Sequence, residues 1–274
     1  MLMDIAPERP GSLVVGSGEA ARRIAYKRRD GEAPALVWLG GFRSDMRGTK
    51  AEHLSGLAGE KGLAFCRFDY SGHGESGGRF EDGTISRWVE DAAAVIAEAV
   101  DGPAILVGSS MGAWIALRLV QQARAVRGGT EIVGLLLLAP APDFTRRLME
   151  PKLTVAQRRE LAEKGFLAEP SAYSDEPTIY TRALFEDGVA NLVMDGPIET
   201  GCPVTIIQGM ADPDVPFEHA LGLVSHLPSD GVVVTLVRDG DHRLSRPRDL
   251  QLIERAALDL VTAARDAGHP PSTV

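Results

Sequence analysis

The sequence predicts an α/β fold: a mostly parallel sheet of about eight strands with helices on both faces and a short helical insertion. Three observations carry that reading. Apolar runs of strand length recur at 35–39, 63–69, 104–107, 132–138, 204–207 and 232–237, each bounded by turn residues. Most are continuous rather than alternating, which suits strands buried on both faces of a parallel sheet. Helical patterns lie between them, and right-handed crossovers place such helices on either side.

The elements follow in order. Residues 13–15 and 23–28 read as antiparallel edge strands, because Ile24 and Tyr26 alternate with polar neighbours, and Asp30-Gly31 supplies a turn. A helix over 85–100 follows Thr84 and stops before Asp101-Gly102-Pro103. The helix expected over 111–126 is apolar nearly all round and ends at Gly128-Gly129. A last helix over 250–267 has Asp249 placed to cap it, and the tail from His269 to Val274 is expected to fray. Between Pro142 and Glu199 leucines thin out and charge rises. There Thr154 stands three residues before Gln157, a capping-box spacing, with Gly165 placed to end the helix. A second helix is expected over 179–186, closed by Asp187-Gly188. About sixty residues between two core strands is too long for an ordinary connection. The expectation is one domain over residues 1–274 carrying a lid of short helices at 142–199.

Composition excludes several classes. A chain of 274 residues can bury about three quarters of its unfolded surface, so its core needs no staple. With 44% hydrophobic and 24% charged residues it is globular rather than disordered. The net charge of −9 opposes phosphate backbones, so nucleic acid is not an expected partner. Cys66 and Cys202 are too few for a disulfide framework or a cysteine-rich zinc site. No metal or other cofactor is expected, and a reducing, cytoplasmic setting is the simplest reading. No apolar run of about 18 residues predicts a membrane span. Residues 1–10, with two acids and two prolines, lack the features of a secretory signal or a transit peptide.

The chemistry concentrates in loops that follow strands. Gly108-Ser109-Ser110-Met111-Gly112 matches G-x-S-x-G and lies directly between the strand at 104–107 and the helix opening at Met111. So sharp a turn forces its central residue into strained geometry and exposes its side chain, while the glycines let neighbouring backbone pass. Ser110 then stands at a helix N-terminus, where N–H groups stabilise negative charge. Ser109, off the centre of the pattern, is the weaker nucleophile.

A serine hydroxyl needs a base, and the base needs an orienting acid. After such an elbow the chain order is serine, acid, histidine. His219, His226, His242 and His269 follow Ser110. His219 and His226 fall in an expected helix and His269 in the tail. His242 ends the turn Asp239-Gly240-Asp241-His242 after the last strand, where catalytic groups gather in open sheets. The strand at 204–207 leads into a run in which Asp212 and Asp214 both qualify as the acid. Asp239 and Asp241 stand too near the histidine and are expected to shape its loop. For the oxyanion, the expected donors are the backbone N–H groups of Met111 and Phe42, the latter following Gly40-Gly41. The run from Asp69 to Ser76 reads as a tight structural loop, so His73 is not expected to be catalytic. Gly16-Ser17-Gly18-Glu19-Ala20-Ala21 matches G-x-G-x-x-A, but no helix and acid-ended strand follow, as a dinucleotide site requires.

Taken together, the run from Leu39 to Lys50, the elbow, the run from Gly209 to Pro216 and the run from Asp239 to Ser245 resemble one group of α/β-hydrolases. That group comprises palmitoyl-protein thioesterases that also cleave acyl glucuronides, with their bacterial relatives. The likeness runs roughly from Arg22 to Ala264, and Gly40-Gly41-Phe42-Arg43-Ser44-Asp45-Met46 is its specific part. The resemblance implies Ser110 as nucleophile, Asp212 (by its Asp-x-x-Val-Pro pattern) as acid, His242 as base, and cleavage of carboxylic esters or thioesters without a cofactor. Two other classes compete: a non-catalytic small-ligand-binding protein on the same scaffold, and a dinucleotide-binding oxidoreductase. Apolar residues from Leu148 to Met194 either line an acyl pocket or pack the insertion on the core. Arg43, Arg47 and Lys50 either meet a carboxylate such as a glucuronyl group or face solvent.

Overall fold

The computed structural model describes residues 6–125, 129–170 and 177–268. A ribbon of β1 (Arg9–Val15) and β2 (Arg22–Arg29) opens the chain, with Leu13 opposite Ile24. Strand and helix then alternate through β3 (Glu32–Leu39), α1 (Thr49–Lys61), β4 (Leu63–Phe68), α2 (Ile85–Ala99), β5 (Ala104–Ser109), α3 (Met111–Ala125) and β6 (Ile132–Leu138). An excursion carries α4 (Val155–Lys164), β7 (Phe166–Glu169), β8 (Thr178–Thr181) and α5 (Arg182–Ala190). The chain then returns to the sheet with β9 (Val204–Gly209), α6 (Phe217–Val224), β10 (Val232–Val237) and α7 (Pro247–Gly268).

The main sheet has the order β1-β2-β4-β3-β5-β6-β9-β10. From β4 to β10 every neighbouring pair is parallel, and the two antiparallel pairs of this sheet are β1–β2 and β2–β4. The fold class expected from the sequence is therefore borne out. The continuous apolar strands serve two cores at once, since successive side chains point to opposite faces. Leu106 and Leu137 pack with Trp88 of α2 and Trp114 of α3. Ile105 and Leu136 pack with Leu54 of α1 and Ile253 of α7. Each such aliphatic side chain contributes about 1.5–3 kcal/mol by leaving water.

Local signals hold at several ends. The Thr84 side chain caps α2 by accepting Arg87 N–H at 3.2 Å. Thr154 and Gln157 form the expected capping box, and Gly165 ends α4 in the left-handed region. Other expectations are corrected. Helix α7 opens at Pro247, a residue whose fixed φ suits the first helical position. Asp249 thus lies inside the first turn rather than at the cap, where its buried carboxylate accepts the Arg246 backbone N–H and guanidinium. The helix expected over 179–186 begins later, at Arg182, and runs on through Asp187-Gly188 to Ala190. Residues Thr178–Thr181, rich in β-branched and aromatic side chains, instead form β8, antiparallel to β7. The G-x-G-x-x-A run makes a short 3-10 turn between two antiparallel strands, which is no dinucleotide cradle. The expected helix stop at Gly128, the tail with His269, and residues 171–176 of the excursion lie outside the described residues. Among the described residues no helix is long and apolar enough to cross a membrane.

One buried carboxylate closes the excursion. Asp143, just after β6, accepts the N–H groups of Val193 and Met194, both at 2.9 Å. Nearby, Asn191 accepts from the Trp114 indole at 2.9 Å through its carbonyl and donates to Ser86 Oγ at 2.8 Å, docking the segment on α2 and α3. Replacing Asp143 by Asn leaves one acceptor oxygen for two buried N–H groups, a loss of about 1–3 kcal/mol. Calorimetry of Asp143→Asn is expected to show a melting temperature lowered by several degrees, and limited proteolysis faster cleavage within 142–199.

Candidate active site

The elbow is a backbone contact before it is a site. Ser110, between β5 and α3, has φ 55°, in the region that L-residues rarely adopt. Its N–H donates to Leu138 O at 2.9 Å, and its own carbonyl accepts Ala113 N–H at 3.0 Å and Ala141 N–H at 3.2 Å. A Cβ on Gly108 would lie 2.5 Å from Gly112 O, and one on Gly112 only 2.1 Å from Leu39 O. Both glycines are therefore required by close approach, and Ser110 is lifted into the open end of the sheet. Ser109 is buried.

The loops after β9 and β10 bring two more side chains to Ser110. His242 Nε2 lies 3.1 Å from Ser110 Oγ, and His242 Nδ1 lies 2.8 Å from Asp212 Oδ2. With the proton on Nδ1, donated to the carboxylate, Nε2 has a lone pair for the serine hydroxyl. Asp212 Oδ1 accepts the N–H groups of Asp214 and Val215, both at 2.9 Å, and Oδ2 also accepts from Gln208 Nε2 at 3.2 Å. Burial alone would raise the Asp212 carboxyl, but the hydrogen bond and charge of His242, with the two backbone donors, hold it below the usual carboxylate range.

Of the two acids left open by the sequence, Asp212 is the one bonded to His242. The two loops are stitched together where Ala211 N–H donates to Gly240 O at 2.9 Å. A Cβ on Gly209 would lie 2.3 Å from that same oxygen. Lys50 Nζ donates to the carbonyl of Arg243, beside the histidine, and burial pulls its pKa down to about 8. Asp241 accepts Leu244 N–H at 3.0 Å, and Asp239 pairs with Arg246 and Arg248, so both shape the histidine loop. Asp212, Asp214 and His242 are also the one group among the described residues with metal-ligand spacing, and it shares its atoms with these hydrogen bonds.

The loop after β3 forms the other wall. Gly41 lies against the elbow: a Cβ there would stand 3.4 Å from Ser110 Cβ and 3.3 Å from Ser109 O. Phe42 follows, and neither its N–H nor that of Met111 has an acceptor among the described residues. The Phe42 ring is held edge-on by Phe80, Trp88 and Phe144 and is stacked on Tyr180 of β8, with centroids 5.2 Å apart and planes 3° from parallel. Arg43 donates through its guanidinium to Pro177 O at 2.7 Å and lies over the Phe80 ring. Arg47 pairs with Glu75. The three cations considered for a substrate carboxylate thus all have protein partners. A cleft of about 350 Å³ opens behind Arg43, lined among others by His73, Phe80, Pro177 and Ile179.

The remaining histidines are held elsewhere, His219 against Pro142 O at 2.8 Å and His226 against Gly196 O at 3.0 Å. His226 stands past the end of α6, not within it. Two residues of the site, Gln208 and Tyr180, carry no functional pattern in the sequence. Gln208 stands one residue before the end of β9 and four before Asp212, a place from which only an inward side chain could serve; Tyr180 carries no local signal.

Comparison with known proteins agrees with this architecture. Residues 33–273 match the model of the alpha/beta hydrolase family. The palmitoyl-protein thioesterase ABHD10, mitochondrial, of Pongo abelii is 34% identical over 239 residues, 87% of this chain and 76% of that protein. The Homo sapiens protein of the same name is 33% identical over the same span. Among solved structures, a putative hydrolase from Agrobacterium vitis S4 superposes with a TM-score of 0.92 at 56% identity, covering 93% of this chain and 99% of that one. Alpha/beta hydrolase domain-containing protein 10 from mouse gives 0.82 at 29% identity, covering 92% and 99%.

Two outcomes follow from the geometry. Gly112→Ala drives a Cβ into the Leu39 carbonyl and is expected to cost about 1–3 kcal/mol or more, read as a lower urea midpoint with an unchanged slope. Because the folded Asp212 carboxyl is depressed, its contribution is complete above the usual carboxylate range and is lost as pH falls through the lower folded value. The stability gap between the wild type and Asp212→Asn is therefore expected to shrink in urea melts stepped below about pH 4.

Proposed function

The chain belongs to the α/β-hydrolase family, and on that premise we propose that it is a serine hydrolase, cleaving carboxylic esters or thioesters through an acyl-enzyme and needing no cofactor. The observation that carries the reading is the unbroken hydrogen-bonded line from Ser110 Oγ through His242 to Asp212. In this mechanism His242 Nε2 takes the Ser110 proton as Oγ attacks the acyl carbon. Asp212 keeps the imidazole in the required tautomer and stabilises its charged form. The Phe42 and Met111 N–H groups meet the developing oxyanion, each worth about 3 kcal/mol. His242 then returns the proton to the departing alcohol or thiol. Water repeats the sequence on the acyl-enzyme, with His242 again as base.

Thioesters enter the proposal because the curated relatives that match over most of the chain are named palmitoyl-protein thioesterases. In the same reading residues 142–199 act as a lid, supported by the stacking of Tyr180 on Phe42, and its apolar side chains form part of an acyl site. Leu184, Val193 and Met194 are themselves buried in the core, which leaves that task to partly exposed neighbours such as Leu148 and Met149.

The test is a panel of p-nitrophenyl esters, acyl thioesters and acyl glucuronides, with fluorophosphonate labelling. Ser110→Ala is expected to abolish labelling and cut turnover by several orders of magnitude, and Asp212→Asn to lower kcat by about 10⁴. Full labelling of Ser110→Ala would falsify the mechanism, and a flat, slow profile across the panel would remove the thioester and glucuronide assignments.

A further inference from the structure

His73 sits in the loop after β4 that the sequence marked only as a tight turn. Its ring is buried, edge-on to Tyr70, Phe80 and Trp88 at centroid distances of 5.8, 5.2 and 5.3 Å. Nδ1 lies 3.2 Å from Ser71 O. A carbonyl only accepts, so Nδ1 bears the proton and Nε2 is left as an acceptor. Nε2 takes Arg43 N–H at 3.2 Å. We infer that His73 is a positioning residue for the oxyanion loop, its Nε2 fixing the peptide that immediately follows the Phe42 donor.

The planar peptide transmits the constraint. Arg43 N–H and Phe42 C=O share one rigid unit and point in opposite directions, so capturing the first fixes the second and restrains the backbone rotation at Phe42. The same residue Arg43 has φ 56°, a conformation that persists only where the surroundings over-determine it. His73 is one such surrounding group, and the Arg43 side-chain bond to Pro177 O is another. Behind His73 the line of polar contacts continues. Ser71 O also accepts from the Trp88 indole at 3.1 Å, and Ser71 donates to Asp91 through its N–H at 2.9 Å and its hydroxyl at 2.7 Å. Asp91 is paired with the buried Arg22 at 2.7 Å. The oxyanion loop is thus referred through four buried side chains to β2, the strand next to the sheet's β1 edge. Burial drives the His73 pKa down to about 4, so the ring is the neutral acceptor this geometry needs at neutral pH.

This inference rests on the serine-hydrolase reading, and its test separates the two. His73→Phe keeps a ring in the aromatic cage and deletes the acceptor; His73→Gln returns an amide oxygen near the Nε2 position. Sites are counted by fluorophosphonate titration and folding is checked by thermal melts. Per titrated site, His73→Phe is expected to lower kcat on p-nitrophenyl acetate about ten- to hundred-fold with KM within about threefold. Affinity for a trifluoromethyl ketone, whose adduct carries the oxyanion, should fall by the same factor. His73→Gln is expected to recover most of the lost kcat. If His73→Phe does not fold, His73→Asn, whose amide reaches only the Nδ1 position, takes its place with the same expected loss. A wild-type kcat per site in the acceptor-deleted variant, a change in KM alone, or no recovery with Gln overturns the inference. Failure of the wild type to label at all would instead overturn the reading beneath it.

Discussion

The contact between Gly112 and the end of β3 sets the dimensions of the site. With no side chain at Gly108 or Gly112, the first turn of α3 sits directly on the Leu39 carbonyl, and Ser110 is left in its left-handed turn. The same closeness brings Gly41 to the elbow, so Ser110 and the loop after β3 are one backbone unit. Sheet register supplies the rest. Leu39 pairs with Gly108, Ser109 with Leu138, Leu138 with Ile207 and Gly209 with Val237, so the ends of β3, β5, β6, β9 and β10 finish level. The loops that leave those ends converge on Ser110. All five non-glycine residues with positive φ among those described, Arg43, Ser110, Ala139, Asp143 and Leu244, lie in these loops. Among the described residues, left-handed non-glycine backbone is thus confined to this end of the sheet.

Much of this was legible in the sequence because it depends on local pattern. Buried parallel strands need apolar residues on both faces, and 104–107 and 132–138 display that without help from any partner. The elbow is legible for the same reason, since its glycines answer to contacts a few residues away. The choice between Asp212 and Asp214 was not legible in the residues themselves. It turns on Asp212 Oδ1 taking the next two backbone N–H groups, which leaves Oδ2 for an imidazole thirty residues on. The β7–β8 hairpin was missed because two four-residue strands carry too little periodicity, and each is defined only by the other. Asp249 was misjudged because a proline two residues earlier starts the helix sooner than the apolar pattern does.

The support beneath the site is polar and buried, and it was the least visible of all. Gln208, Asp91, Arg22 and His73 look in sequence like ordinary solvated residues, yet none is exposed. A buried polar group costs stability unless it is fully bonded, so such residues persist where they hold neighbouring loops in a single arrangement. Here they brace the Asp212 carboxylate on one side of Ser110 and the Arg43 backbone on the other.

Asp143 has a wider consequence. By binding Val193 and Met194 it makes the excursion a closed ring of chain, its ends joined across fifty residues of sequence. For a flexible ring the entropy of closure rises only with the logarithm of its length, about 0.6 kcal/mol for each doubling. Insertions and deletions in its exposed stretches, away from Pro177, Tyr180, Leu184 and Asn191, therefore carry small thermodynamic penalties so long as this tie survives. Chains built on this sheet can therefore vary the exposed length of this excursion while the Asp143 tie keeps its two ends in place on the sheet.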